Sequence, residues 1–168
     1  MQNFNELYQQ YYSSVFILSR KILNNSDDNA DITQEVFIKL YQEINNNNII
    51  LYPKTWLYKV TVNKAINHLN RKKEFVQLEE NNNLKRISDD DIIDDIDQST
   101  KKYILNKALD KLKPIEKVVI ILYSEGLSYK EIAEVSEISF NTVGKLISRI
   151  LEKLKIILKD NKDELLDE

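Results

Sequence analysis

Apolar residues recur every three or four positions in the first part of the chain, which predicts three amphipathic helices. The first covers residues 4–23 and ends at the polar residues 24–29. The second ends at a polar loop that begins at Asn45. The third begins at Pro53, which suits a first helical turn, and reaches a basic triplet at Arg71. We expect the three apolar faces to share one core, made of Phe4, Leu7, Tyr8, Tyr11, Val15, Leu18 and Ile22, then Ile32, Val36, Phe37, Leu40, Tyr41 and Ile44, then Trp56, Leu57, Val60, Ile66 and Leu69.

Helical spacing returns after residue 103. One helix is predicted from Ile104 to Leu112 and another from Pro114, with Gly126 just past its end. Residues 128–131, Ser-Tyr-Lys-Glu, have the spacing of a capping box and begin a short helix. A turn at residues 137–139 precedes a longer helix, whose predicted inward residues are Val143, Ile147, Leu151 and Leu154. Two helices joined in this way form a candidate helix-turn-helix, although an ordinary helical hairpin would have the same apolar pattern.

Residues 76–103 differ from the sequence on either side. They are polar, contain few large apolar residues, and include the runs Asn81–Asn83 and Ser88–Asp91. This composition predicts a flexible linker, with at most a helical turn near residues 92–96. The aspartates lack the glycine and the distal glutamate of a calcium loop, so a metal site is disfavoured. The expected architecture is all-α, with two small helical domains at 1–75 and 104–159, the acidic linker at 76–103 and an acidic tail at 160–168.

Composition narrows the function classes. The chain has two glycines and two prolines, which disfavours turn-rich sheet folds, and it has no cysteine, which excludes disulfides and thiol catalysis. We expect a cytoplasmic protein, because no apolar run is long enough to cross a membrane and the N-terminus lacks a signal peptide. With a single histidine and no glycine-rich phosphate loop, an enzyme, a cofactor site and a metal site are all disfavoured. His68 is expected to have a surface role.

Charge is distributed unevenly along the chain. The net charge is -3, yet the expected domains are basic, with +2 over residues 1–75 and +3 over residues 104–159. The linker and the tail each carry -4. Between Pro53 and Lys73 there is no acidic residue, and the basic residues there are Lys54, Lys59, Lys64, Arg71, Lys72 and Lys73. This pattern indicates a surface for nucleic-acid phosphates, with a solvated helix face as the alternative.

Three motifs occur in order along the chain. They are Asp31–Phe37 (DITQEVF), Thr55–Val60 (TWLYKV) followed by Asn63 and Asn67, and Gly126–Ala133 (GLSYKEIA) followed by Thr142-Val143. Together they resemble regions 2.2, 2.3–2.4 and 4.2 of the extracytoplasmic-function (ECF) sigma factors of bacterial RNA polymerase, over residues 4–155. The resemblance implies core polymerase and promoter DNA as partners, a probable anti-sigma factor and no direct insertion into the membrane. A stand-alone helix-turn-helix regulator is the alternative, but it does not account for the first motif.

The resemblance also implies a role for each matched position. The clamp helices of the largest polymerase subunit would be bound by Asp31, Gln34, Glu35 and Phe37. The -10 element would be bound by Trp56, Lys59, Asn63, Lys64, Asn67 and Arg71, with a flipped base in the loop 45–53. The -35 element would be bound by Thr142, Lys145, Ser148 and Arg149. Phe37 and Trp56 could instead be core residues.

The chain departs from the family pattern in its second half. Glu137 stands where the turn usually has glycine, and Gly144 and Leu146 stand where basic residues are common. Gly144 should weaken its helix by about 1 kcal/mol relative to alanine. These departures affect the expected -35 sequence rather than the fold. The acidic linker would mimic a nucleic-acid backbone in the polymerase channel, with an ordinary solvated tether as the alternative.

Overall fold

The computed structural model describes residues 3–80 and 96–164, which form seven α-helices and contain no strand. The all-α prediction is therefore confirmed for the described residues. The helices are α1 (Phe4–Leu23), α2 (Ser26–Asn45), α3 (Pro53–Glu80), α4 (Ile96–Asp110), α5 (Pro114–Ser124), α6 (Tyr129–Ser136) and α7 (Phe140–Glu164). In these two stretches no helix is both long and apolar enough for a bilayer crossing.

Helices α1, α2 and α3 pack against one another and form the first module. The connection between α1 and α2 is shorter than predicted and consists of two asparagines. Asn24 ends α1 in the left-handed conformation (φ 60°), and the Asn25 side chain accepts hydrogen bonds from the N–H groups of Asp27 and Asp28. Because asparagine suits both a left-handed C-cap and an N-cap, adjacent asparagines can end one helix and begin the next.

Helices α4 to α7 form the second module, in which α7 packs against α4, α5 and α6. Gly126 has φ 80° just past α5, as the sequence predicted. Ser128 and Glu131 form the predicted capping box at the start of α6. The capping box satisfies backbone N–H groups that would otherwise lack partners, so the short α6 has a defined beginning.

The predicted core is largely confirmed, with three exceptions. Its most deeply buried members include Val15, Leu18, Ile22, Val36, Leu40, Leu57, Val143 and Ile147. Tyr8 and Tyr41 were predicted to lie inward but are 39% and 51% exposed. In α7, Leu151 is 46% exposed and Ile150 is 1% exposed in its place. The buried stripe of α7 therefore follows positions 143, 147, 150 and 154, which lie on a narrower face of the helix than the predicted set.

The predicted linker is partly helical, because α3 continues to Glu80 and α4 begins at Ile96. Residues 81–95, which include the aspartate cluster at 89–91, lie outside the described residues, as does the end of the tail. The two modules contact each other: α3 packs against α5 and α6, and α1 packs against α5. An ion pair between Lys21 and Glu125 joins α1 to the end of α5. The two modules therefore pack against each other, although the sequence predicted a flexible linker between them.

Candidate nucleic-acid interface

Helix α3 carries the residues predicted to bind the -10 element on two adjacent stripes. Intervals of three or four residues place Trp56, Lys59, Asn63 and Asn67 along the first stripe, and Lys64 and Arg71 lie beside it. Asn67 and Arg71 are exposed, whereas Trp56 is half-buried and packs against the core. The sequence allowed Trp56 to face DNA or to belong to the core. Its half-buried ring packs against the core on one side and is accessible to DNA on the other.

Two residues of the first stripe meet the helix-turn-helix. The Lys59 ammonium lies 2.8 Å from Oε1 of Glu137, the C-cap residue just after α6. A hydrogen bond and attraction from Lys59, with a smaller contribution from the nearby Asn63 side chain, hold the pKa of the Glu137 carboxyl below its usual range. The side chains of Lys59 and Glu137 remain 41% and 54% exposed. The contact is therefore a surface contact rather than part of a core.

The second stripe of α3 faces acidic residues of α2. Lys64 donates to Oε2 of Glu35 at 2.5 Å, which joins a predicted DNA-binding lysine to a predicted polymerase-binding carboxylate. His68 lies 3.0 Å from Asp28, and the Lys72 ammonium lies 3.9 Å from the same carboxylate. His68 therefore has the surface role expected from the sequence. No group of three or more metal-ligating side chains is arranged to hold a metal ion within residues 3–80 and 96–164.

The loop between α2 and α3 exposes apolar side chains. Ile49, Leu51 and Tyr52 are 80%, 78% and 72% exposed, while Ile50 is 6% exposed and anchors the loop. The Asn48 side chain also ties the loop to α2, by donating to Glu43 at 2.6 Å. An exposed ring held on an anchored loop can stack on an unpaired base, because every base has a flat apolar face.

The predicted polymerase-binding residues do not all point outward. Asp31, Gln34 and Glu35 are exposed on α2, whereas Phe37 is 3% exposed. The burial of Phe37 matches the alternative that the sequence left open, a core position. Its ring packs edge-on against Tyr8 of α1, with centroids 4.8 Å apart, and so supports the exposed residues from beneath.

An aromatic groove beside these residues was missed by the sequence reasoning. It has a volume of about 470 Å³ and lies between α1 and α2, lined mainly by Phe4, Tyr8, Tyr12, Phe37, Ile38 and Tyr41, with Gln34 at its side. The signal was the aromatic residues at positions 4, 8, 12 and 16, four residues apart on α1. Such spacing fits a buried face and an exposed groove equally well. Of these four aromatic residues, Phe4 and Tyr8 were predicted to be core residues.

Helices α6 and α7 form the predicted helix-turn-helix. Three of the predicted -35 residues, Thr142, Lys145 and Arg149, are exposed on one stripe of α7, opposite the buried Val143 and Ile147. Ser148 is also exposed, but its hydroxyl donates to the Gly144 carbonyl at 3.0 Å. A longer helix that exposes short polar and basic groups near its N-terminus has the form that enters a DNA major groove.

Gly144 makes room for an aromatic side chain of α6. A Cβ added at Gly144 would lie 3.3 Å from Cε2 of Tyr129. Tyr129 is 42% exposed, and its ring centroid lies 6.3 Å from that of Tyr123. The departure from the family pattern at this position therefore puts a tyrosine ring next to the exposed stripe of α7.

Comparison with known proteins agrees with both halves of this arrangement. Residues 7–75 match the family model for Sigma-70 region 2, and residues 103–154 match that for Sigma-70, region 4. The chain is 30% identical over 155 residues to the RNA polymerase sigma factor SigV of Bacillus subtilis, covering 89% of this chain and 85% of that one. It is 27% identical to the ECF RNA polymerase sigma factor SigW of the same organism, covering 94% and 89%. A solved structure of the sigma factor RpoE in complex with the anti-sigma factor NepR, from Bartonella quintana, has the same fold, with a TM-score of 0.73. The match covers 95% of this chain and 98% of that chain, and the sequence identity is 19%.

Proposed function

The chain belongs to the ECF sigma factors of bacterial RNA polymerase, and from that premise we propose which of its surfaces perform each step of initiation. As an alternative sigma factor it binds core RNA polymerase and directs promoter-specific initiation. The observation that carries the assignment is that one module exposes an acidic face on α2 beside the basic and amide stripe of α3, while the other exposes the recognition face of a helix-turn-helix. The function is binding, without a covalent step.

Helix α2 would bind the clamp helices of the largest polymerase subunit. Asp31 and Glu35 are one turn apart and both exposed, which suits a basic partner surface. The aromatic groove between α1 and α2 adds apolar area at the edge of this face, and Tyr and Phe are enriched at the centres of protein interfaces. Phe37 contributes to binding by supporting this surface, since its own side chain is buried.

Helix α3 would bind the -10 element as single-stranded DNA. The stripe offers amides for base edges at Asn63 and Asn67, a lysine for the backbone at Lys59, and a half-buried ring at Trp56. The exposed Tyr52 in the preceding loop is the side chain placed to stack on a flipped base. Lys64 and Arg71 would contact phosphates from the adjacent stripe.

The second module would bind the -35 element as a duplex. Arg149 and Lys145 would reach base edges or phosphates in the major groove, and Thr142 would contact the backbone near the start of α7. Tyr129, which occupies the space that Gly144 leaves open, lies beside this stripe. The proposed boundaries of the two binding domains are 1–75 and 104–159, which lie within the helical modules that extend to Glu80 and begin at Ile96.

An anti-sigma factor completes the set of proposed partners. The solved structure that shares this fold is of a sigma factor bound to such a partner. A protein inserted between the two modules would have to separate α3 from α5 and α6, which contact each other in this structure.

Reconstitution with core polymerase tests the proposed function. The purified chain should bind core polymerase, and the complex should start transcripts at discrete positions on a library of genomic fragments from the source organism. Core polymerase alone and the free chain are the controls, and neither should give these transcripts. If the chain bound specific duplex DNA without polymerase and never associated with polymerase, a stand-alone regulator would be the correct interpretation.

A further inference from the structure

Three acidic residues of the second module face three lysines of the first. Glu125 pairs with Lys21 of α1, and Glu137 pairs with Lys59 of α3. Hydrogen bonds from Ser128 lower the pKa of the Glu131 carboxyl, and attraction from Lys54 of α3 lowers it further. All three carboxylates lie between the end of α5 and the end of α6. The contact between modules is therefore complementary in charge, with the acids on the helix-turn-helix side.

The Glu137 contact covers part of the proposed -10 surface. Its carboxylate is bound by the Lys59 ammonium at 2.8 Å, and the Asn63 side chain is near enough to contribute to the lowered pKa of that carboxyl. In the proposed function, Lys59 binds a phosphate and Asn63 binds a base edge. A carboxylate paired with Lys59 and lying beside Asn63 occupies the lysine that DNA would use and covers the neighbouring amide.

The backbone at Glu137 indicates that the side chain is not there for local reasons. Glu137 has φ 57°, in the left-handed region that favours glycine. Glycine in this turn would keep the same backbone without strain, but it would bring no carboxylate to Lys59. The carboxylate that glycine would lack is the group that contacts the other module.

We propose that Glu137 is an autoinhibitory latch, which holds the helix-turn-helix module against α3 and must be displaced before the -10 strand can bind Lys59 and Asn63. The proposal rests on the proposed role of α3. Both partners of the Lys59–Glu137 pair are about half exposed, so the latch is weak, screened by salt and readily reversible. Polymerase, which binds the two modules at two promoter elements, would open it by separating them.

The distance between modules in the free, full-length chain is the first test. The chain has no cysteine, so Gln10→Cys on α1 and Lys155→Cys on α7, both exposed positions, can be labelled as a single pair of probes. Glu137→Gln should increase the population with a long distance by about two- to fivefold, as expected for loss of a surface ion pair. Glu134→Gln is the matched control, since Glu134 is an exposed glutamate of the same helix with no ion pair among the described residues.

Charge exchange tests whether the pair itself is responsible. Glu137→Lys and Lys59→Glu should each open the modules, because each places like charges in contact. The double variant should restore the short distance. If the double variant is as open as either single variant, or if Glu137→Gln leaves the distance unchanged, the latch is refuted.

DNA binding by the free chain is the second test. The probe is the labelled non-template strand of a promoter recovered in the transcription experiment, and its affinity should rise about two- to fivefold in Glu137→Gln but not in Glu134→Gln. Opening without a gain in affinity would make the contact structural only and refute autoinhibition. Failure of the proposed function would look different, because wild-type chain with core polymerase would then start no specific transcripts.

Discussion

The Glu35 carboxylate on α2 accepts a hydrogen bond from the Lys64 ammonium on α3 at 2.5 Å, so the surfaces assigned to polymerase and to DNA share one ion pair. The side chains are 57% and 30% exposed, which makes the pair weak in isolation. A basic group of the polymerase that engages Glu35 would compete with Lys64 for the carboxylate. Lys64 would then be free to bind a DNA phosphate, which would couple the two binding events.

This coupling predicts different effects for the two partners. Glu35→Gln should weaken binding to core polymerase by about fivefold, because it removes a charge from the docking face. Lys64→Gln should leave polymerase binding within about twofold of wild type and should lower promoter opening, since a phosphate contact is lost. Titration of labelled polymerase and a permanganate footprint of the open promoter measure the two effects, with Glu152→Gln on α7 as the charge control. Equal loss of polymerase binding in both variants would contradict the assignment of Lys64 to DNA.

Arg149 and Lys155 offer a matched comparison on α7. Both are exposed and basic, but only Arg149 lies on the stripe with Thr142 and Lys145. Arg149→Ala in the holoenzyme should weaken discrimination at one base pair of the upstream element by about 1–3 kcal/mol. Lys155→Ala should leave the base preference unchanged. A selection from randomised upstream elements measures both, and an unchanged preference in Arg149→Ala would remove this residue from base recognition.

Local signals in the sequence accounted for most of the fold. Pro114, Gly126 and the Ser128–Glu131 capping box each act within a few residues, so the predicted ends of α5 and the start of α6 agree with the structure. The connection at Asn24 and Asn25 was predicted too long, because each asparagine caps a different helix and the pair resembles the start of a polar loop.

Contacts between distant residues could not be predicted from the sequence. Glu137 was noted only as an unusual turn residue, and its ion pair with Lys59 depends on how α6 packs against α3. Likewise, an apolar stripe on α1 does not reveal which of its members a neighbouring helix will leave uncovered. Tyr8 therefore lies partly exposed in a groove although its spacing fits a core position.

Gly144 should be replaceable by alanine with a gain in stability. Alanine is favoured over glycine inside a helix by about 1 kcal/mol, and the added Cβ would meet only the Tyr129 ring at 3.3 Å. Because Tyr129 is 42% exposed, its ring can shift by a few tenths of an ångström at small cost. Urea unfolding followed by circular dichroism should show Gly144→Ala to be about 0.5–1 kcal/mol more stable than wild type. Destabilisation would mean that the Tyr129 ring is held in place, and Gly144→Ala with Tyr129→Ala would then recover the gain.

Lys117 is a buried cation, and its ion pair with Asp110 bears on the stability of the second module. Its side chain is 4% exposed, and its ammonium donates to Oδ1 of Asp110 at 2.7 Å, where Asp110 is itself 54% exposed. Removing the partner from a buried charge is more costly than removing the charge, because the remaining group loses water without gaining a counter-charge. Asp110→Ala should therefore lower the free energy of unfolding by about 1–3 kcal/mol. This loss is smaller than the loss expected for breaking a fully buried pair, because water reaches the Asp110 carboxylate.

The matched variant is Lys117→Met, which keeps the length of the side chain and removes its charge. It should change the free energy of unfolding by less than about 1 kcal/mol, and in Lys117→Met the further change Asp110→Ala should have little effect. Urea unfolding of the wild type, the two single variants and the double variant gives the coupling free energy between residues 110 and 117 directly. If Lys117→Met proved as destabilising as Asp110→Ala, the ammonium would be contributing favourable interactions of its own, and the ion pair would be a net source of stability for the second module.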